Sequence, residues 1–237
     1  MKEHDEVVAE GHLFRLTHKP VEGRAEPYEF IQRRGAVTVL PITTDSSVVN
    51  NGLPHVLSIY NRRRGYEASQ GLPGGNMDGP LDNQEHPTQT ALRELREETG
   101  YGIIDATANS VSTFILNPIS STIDYPRYFS IVRGVQRVAE PVNDPNEIVE
   151  ILPVPAVDYI DELSRLEGPL PYLEVKASMQ KAVGRFGLNN FLKWIVYGSD
   201  PEGISDELVH EVVQDYMTPV GDDLVGTVSS LLYAKKS

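Results

Sequence analysis

Glu94, Glu97 and Glu98 stand together in the stretch GPLDNQEHPTQTALRELREETGY, residues 79–101. On a helix that advances about 100° per residue, the three carboxylates fall within about 100° of one another. Like charges one turn apart repel by roughly a few tenths of a kcal/mol per pair, so a cation is expected among them. Hard oxygen ligands in that arrangement suit Mg²⁺ or Mn²⁺. Such ions polarise a phosphate and activate a water molecule. The plainer reading is a solvated acidic face, partly offset by Arg93 and Arg96. Two neighbouring features favour the cation. Leu72-Pro73-Gly74-Gly75 places flexible backbone ahead of the helix, where amides and carbonyls can approach a ligand closely. Glu85 lies within reach of Arg93 as an ion pair that would fix the loop against the helix.

These side chains need a helix over 87–99. Pro87 suits its first turn and Gly100 its left-handed end. His86 is the N-cap by position, although a weak one, with Thr88 as the alternative. Leu92, Leu95 and Thr99, together with Thr88, lie on the side away from the glutamates and read as core. Upstream, HLFRLTHKPV and YEFIQRR read as two strands around a turn. GAVTVLPI is a strand stopped by Pro41, Asn51-Gly52 is a hairpin signal, and HVLSIYNRR returns. RGYEASQGLPGGNMDGPLDNQE reads as a loop. After the helix, SVSTFILNPI, RYFSIVRGV and IVEILPVPA read as strands and VDYIDELSRL as a helix. From Gly168 the pattern is helical, with breaks expected at Gly184, Gly187 and Asp200-Pro201. Strands flanking a helix, then a run of helices, predict an α/β fold with a helical C-terminal extension.

The chain of 237 residues can form one large domain or one domain plus an extension. Its net charge of −13 argues against binding nucleic acid or an anionic membrane surface. An anionic substrate would therefore need a metal ion or a local basic patch. There is no cysteine, which excludes disulfides, thiolate metal sites and cysteine nucleophiles. The acidic N-terminus is not a secretory signal, and no apolar run approaches the roughly 20 residues that span a bilayer. A cytoplasmic protein is expected.

The motif resembles the signature of the Nudix hydrolases: Gly, five residues, Glu, seven residues, then Arg-Glu-aliphatic-any-Glu-Glu-any-Gly-aliphatic. Gly79, Glu85, Arg93, Glu94, Leu95, Glu97, Glu98 and Gly100 match; Tyr101 stands at the final aliphatic position. In that family the box glycine usually belongs to the Pro-Gly-Gly turn, here Pro73-Gly74-Gly75. The resemblance therefore implies a four-residue insertion, with the Gly75 carbonyl as a metal ligand and Gly79 as the alternative. VVAEGHLFRLTHKPV followed by PYEFIQRRGAVTVLPI is similar to the start of the ADP-ribose pyrophosphatase branch. The likeness covers roughly residues 7 to 165 and implies a Nudix-like α/β/α sandwich with a mixed sheet. It implies an N-terminal antiparallel segment at 1–34 that helps form a homodimer and a hydrolase domain at 35–167; the change to a helical pattern sets off the extension at 168–237, which the likeness does not cover.

The implied reaction is Mg²⁺-dependent hydrolysis of the pyrophosphate of ADP-ribose or a nucleoside diphosphate sugar, with Mn²⁺ as the other ion. Glu97 and Glu98 would be the principal metal ligands and Glu94 a further ligand or orienting base. Gly79, Glu85, Arg93 and Gly100 would be architectural. Related enzymes place an extra catalytic glutamate in a loop after the later strands. Glu147 in AEPVNDPNEIVEI is the first candidate, ahead of Asp144 and Glu140. Arg62, Arg63 and Arg64 are candidates for phosphate or ribose, and Tyr66, Tyr125 and Tyr128 for stacking on a base; a solvated basic turn and core packing are the alternatives. Trp194 is expected to pack the extension onto the main domain or a second subunit. Other readings are a hydrolase of dinucleoside polyphosphates or nucleoside triphosphates, a scaffold whose helical tail binds a protein, and an ADP-ribose sensor whose tail binds DNA. Against the sensor, every box carboxylate is present, and residues 168–237 hold six Lys/Arg against nine Asp/Glu.

Overall fold

The computed structural model describes residues 6–20, 23, 25–49, 52–63, 67–104, 107, 110–116, 123–142, 147–164, 173–199 and 203–220. Strands β1 (Glu6–Glu10), β2 (Phe14–Lys19) and β3 (Tyr28–Arg33) pair antiparallel in an N-terminal sheet, whose fourth strand, Ile123–Asp124, lies parallel to β3. Next come β4 (Ala36–Thr43), β5 (His55–Arg63), β6 (Ser69–Gly71) and β7 (Gly74–Asn76), then helix α1 (Pro87–Thr99). Strands β8 (Tyr101–Gly102), β9 (Val111–Leu116), β10 (Ile123–Asp124), β11 (Arg127–Arg133), β12 (Gln136–Arg137) and β13 (Glu147–Pro155) follow. Helices α2 (Ala156–Ser164), α3 (Leu173–Phe186), α4 (Leu188–Tyr197) and α5 (Asp206–Val213) precede strand β14 (Met217–Pro219).

The main sheet runs β13-β5-β4-β11-β9-β14, with β6 on β5 and β7 on β4. It is mixed: β11 lies parallel to β4, whereas β11–β9, β13–β5 and β4–β7 are antiparallel. The period of two along each strand sends alternate side chains to opposite faces. On β4, Val37 and Val39 join Leu57, Ala91, Leu95, Val111 and Val132 beneath α1. Leu40 and Ile42 turn the other way and meet Phe114, Phe129 and Ile131 together with α2–α5. The sheet is thus covered on both faces, the predicted α/β/α sandwich. Each fully buried Leu, Ile or Phe contributes roughly 1.5–3 kcal/mol through lost apolar exposure. Trp194 stacks on Phe191 at 5.6 Å and meets Phe114 edge-on at 6.5 Å, so it packs α4 onto the main sheet.

Several local expectations are corrected. Pro41 does not stop β4. The backbone N–H of Val39 faces Pro73, so the nitrogen of Pro41, two residues on, faces the same side. There the neighbour changes from β7, which pairs with Ala36–Thr38, to β5, which pairs with Ile42–Thr43. The missing N–H falls in that gap and costs the ladder little. The glycine-rich loop contains β6 and β7. Gly184 lies inside α3 on an exposed turn, where a helix tolerates glycine at about 1 kcal/mol; the break is at Gly187, with φ 77°. Asp200-Pro201 and Asn51 lie outside the described residues, while Gly52 has φ 65°. The region read as wholly helical also supplies β14, which pairs with the outer edge of β9.

Candidate active site

Helix α1 has the predicted bounds. His86 caps it, its Nδ1 accepting the Thr88 N–H at 3.3 Å, so Thr88 does not take over. The Thr88 hydroxyl is committed elsewhere, 3.1 Å from that of Thr113, which in turn lies 2.9 Å from Ser130. Thr88, Thr90, Ala91, Leu95 and Thr99 are buried against the sheet, which leaves the glutamates on the outer face. At the far end Gly100 has φ 73°, donates to the Arg96 carbonyl and accepts from Val138 and Ala139. A Cβ at Gly100 would stand 2.3 Å from the Ala139 oxygen, so only glycine fits this exit.

The carboxylates differ in their surroundings. Glu94 is more enclosed than Glu97, its side chain 14% exposed against 44%. Burial pushes the Glu94 carboxyl above its ordinary value, against the pull of Arg93. Glu98 accepts the Gly74 N–H at 2.9 Å. Arg93 is the hub. Its Nη1 donates to Glu94 at 2.8 Å and Glu97 at 3.1 Å; its Nε and Nη2 reach Glu85 at 3.2 and 3.0 Å; Nη2 also reaches the Asn76 carbonyl at 3.0 Å. Asp78 lies 3.4 Å from its Nε. Burial disfavours this cation, yet the Glu85 hydrogen bond and the charges of Glu94 and Glu85 hold it above its ordinary value. The expected Glu85–Arg93 pair is present, and Glu85 also accepts from the Thr90 hydroxyl at 2.8 Å.

The two candidate glycines have different settings. A Cβ on Gly75 would stand 2.3 Å from a Glu94 oxygen, and one on Gly74 2.2 Å from the Val37 carbonyl. Strand β7 thus runs pressed between β4 and the acidic face of α1. Gly79 has φ 95° and turns against the Asn83 carbonyl, 2.5 Å from where its Cβ would be. Gly75 is therefore the glycine brought to Glu94, and Gly79 shapes the following turn.

Several of the other candidates lie outside the described residues. Glu147 is the first residue of β13, opposite Arg63, rather than a loop residue, and its side chain lies outside the described residues. Asp144 lies outside them altogether. Glu140 is exposed and paired with Arg137 at 2.7 Å. Arg62 is exposed on β5 opposite Ile148. Arg64 and Tyr66 lie outside the described residues, as does the side chain of Arg63. Tyr128 packs partly into the core beneath α1, and the face of Tyr125 is covered by the Arg33 guanidinium at 4.6 Å.

Sequence reasoning missed the contribution of Asn76 and Asp78 to the Arg93 hub, and the docking of the loop by Gln84, whose side-chain oxygen accepts the Gly35 N–H at 2.7 Å. Dense glycine and proline marked this stretch as special but did not say what it would touch. Among the described residues, no three acidic or histidine side chains converge as a ready ligand set. The donor chemistry nonetheless fits a divalent cation. Three carboxylates and a close-lying backbone strand offer only hard oxygens, and the enclosed Glu94 is costly to ionise without a nearby cation.

The model of the NUDIX domain matches residues 34–170. The chain belongs to this family. The protein is 33% identical over 100 residues to the methanol dehydrogenase activator of Bacillus methanolicus, a match covering 40% of this chain and 48% of that one. The matched part thus spans about half the length of that curated relative. The NUDIX protein is also similar to a solved ADP compounds hydrolase at 20% identity, covering 70% of this chain and 82% of that chain with a TM-score of 0.47. No helix of the NUDIX protein, among the described residues, is long and apolar enough to cross a membrane.

Proposed function

We propose that the protein hydrolyses the pyrophosphate bond of a nucleoside diphosphate linked to another group, with ADP-ribose or a nucleoside diphosphate sugar as first candidates. The observation that carries this reading is the Glu94–Glu97–Glu98 face of α1, set against β7 inside a NUDIX domain. Glu94, Glu97, Glu98 and the Gly75 carbonyl would hold Mg²⁺, or Mn²⁺ in its place. The ion, when bound, neutralises the diphosphate and lowers the pKa of a coordinated water. The chain's own residues do the rest. Arg93 keeps Glu94 and Glu97 side by side, and Glu85 keeps Arg93 turned toward them. A carboxylate accepts the proton of the attacking water as its oxygen bonds to phosphorus and the anhydride P–O bond breaks. Glu147, at the head of β13, is proposed for that base. With ADP-ribose the products are AMP and ribose phosphate. The division at 1–34, 35–167 and 168–237, the homodimer and a cytoplasmic setting belong to the same proposal.

The test is incubation with Mg²⁺ and a panel of nucleoside diphosphate derivatives, with products identified by mass. AMP plus ribose phosphate from ADP-ribose is expected. Tight binding of ADP-ribose with no turnover of any panel member would instead favour the sensor and overturn the enzyme.

A further inference from the structure

The loop entering α1 is held from two directions. At its base, the Glu85 N–H donates to the Asp78 carbonyl, and the Glu85 carboxylate takes the Arg93 fork and the Thr90 hydroxyl. At its tip, Asp82 is gripped by Arg15 of β2. Nη1 reaches Oδ1 at 2.8 Å and Nη2 reaches Oδ2 at 2.9 Å, while Nη2 also meets Glu10 of β1 at 2.8 Å. This is a two-pronged guanidinium–carboxylate pair, whose planar fit fixes orientation as well as distance. Between tip and base, Gln84 binds Gly35 at the entrance to β4 and donates from its own Nε2 to the Leu81 carbonyl at 3.0 Å.

We infer that Arg15 and Asp82 are positioning residues for the candidate site: their pair fastens the N-terminal sheet to the loop, so that Glu85 is presented to Arg93 in one orientation. This rests on the proposed hydrolase reading. The route is short. Three residues along the chain from Asp82, Glu85 holds two of the three nitrogens of Arg93, and the third nitrogen holds Glu94 and Glu97. With the tip released, Glu85 loses its fixed approach to Nε and Nη2 of Arg93, so the Nη1 grip on Glu94 and Glu97 is no longer held in one place. The Arg15 side chain is mostly covered, 14% exposed, whereas that of Asp82 is 74% exposed. Exposed ion pairs add little to folding stability. The aspartate can therefore be changed without unfolding the protein, and the consequence to look for is one of placement.

The experiment uses the full chain with Asp82→Ala and Asp82→Glu. Asp82→Ala should speed amide hydrogen exchange across residues 76–86 by about tenfold while leaving the melting temperature near wild type. With the panel substrate that wild type turns over, it should lower kcat by about five- to tenfold with KM little changed, since groups that position rather than bind are displaced. Asp82→Glu, which keeps the charge, should recover most of the loss. Unchanged exchange in Asp82→Ala would remove the latch. Faster exchange with wild-type kcat would make the pair merely structural and overturn its positioning role. If wild type turns over no panel member, the hydrolase reading fails, and the latch then stands or falls on the exchange measurement alone.

Discussion

Arg93 and Arg133 lie on opposite sides of the same sheet and have contrary surroundings. Arg93, on α1, is gathered in by Glu85, Glu94 and Glu97, and their charges outweigh its burial. Arg133, on β11, points into the α2–α5 side. It donates to the Ile195 carbonyl at 2.9 Å and the Ser112 hydroxyl at 2.8 Å, and lies 5.2 Å from the centre of the Trp194 ring. Those partners are neutral, and burial pulls its pKa down to about 10 against the raising pull of the Asp206 charge. One arginine orders an excess of negative charge; the other ties a helix to a strand. The side with unbalanced charge is the side where the proposed chemistry falls, whereas Arg133 satisfies its guanidinium with a carbonyl, a hydroxyl and a ring and serves packing.

The sharpest way to break that contrast is on α1. Glu98→Gln keeps the shape and the contact with Gly74 but removes a charge, and should lower turnover by about a hundredfold or more with an unchanged circular dichroism spectrum. Wild-type rates would take the active site away from this face. A matched pair comes next. Arg93→Met should lower turnover by about tenfold or more through misplaced carboxylates, with a smaller effect on denaturant stability. Arg133→Met should do the reverse, costing about 1–3 kcal/mol because the Ile195 carbonyl and Ser112 hydroxyl lose their donor, with turnover per folded molecule kept. Equal effects on both quantities in both variants would erase the distinction between the two sides.

The smallest effect is a pH calibration at a carboxylate remote from the Arg93 cluster. The Ser47 backbone N–H, its hydroxyl and the Arg137 N–H hold Asp45 below its ordinary pKa, with slight burial opposing them. A depressed folded value means that the stabilisation is present above the unfolded value of about 3.9. It is lost as pH falls through the lower folded value. Asp45→Ala should cost about 0.5 kcal/mol at neutral pH, since solvent screens the charge. That gap should close in acid below the folded value, as read from urea melts across pH.

What could be read in advance follows the range of the interaction. Helix α1 was legible from Pro87 to Gly100 because start, stop and apolar face are written within fifteen residues. The Glu85–Arg93 pair was legible for the same reason. Which glycine meets Glu94 was not, because Gly75 approaches through the pairing of β7 with β4, and residue spacing cannot weigh that against Gly79. Arg15 and Asp82 are 67 residues apart, and nothing local to either suggests the other. Pro41 misled because its missing N–H matters only if a neighbour waits opposite, and the handover from β7 to β5 leaves none there. Strand β14 escaped notice because Met217-Thr218-Pro219 has little pattern of its own; it becomes a strand by lying along β9.

Strand β14 has a consequence for how the molecule keeps to itself in company. Met217–Pro219 lies against Phe114–Leu116, and the Val220 N–H closes onto the Thr113 carbonyl. Exposed sheet borders recruit other chains, and a strand of three residues ending in proline is a poor template for recruitment. A protein shortened to end before Met217 would keep α1 and its glutamates, yet present the bare flank of β9 to every neighbouring copy. Its first failure would be clumping rather than loss of chemistry.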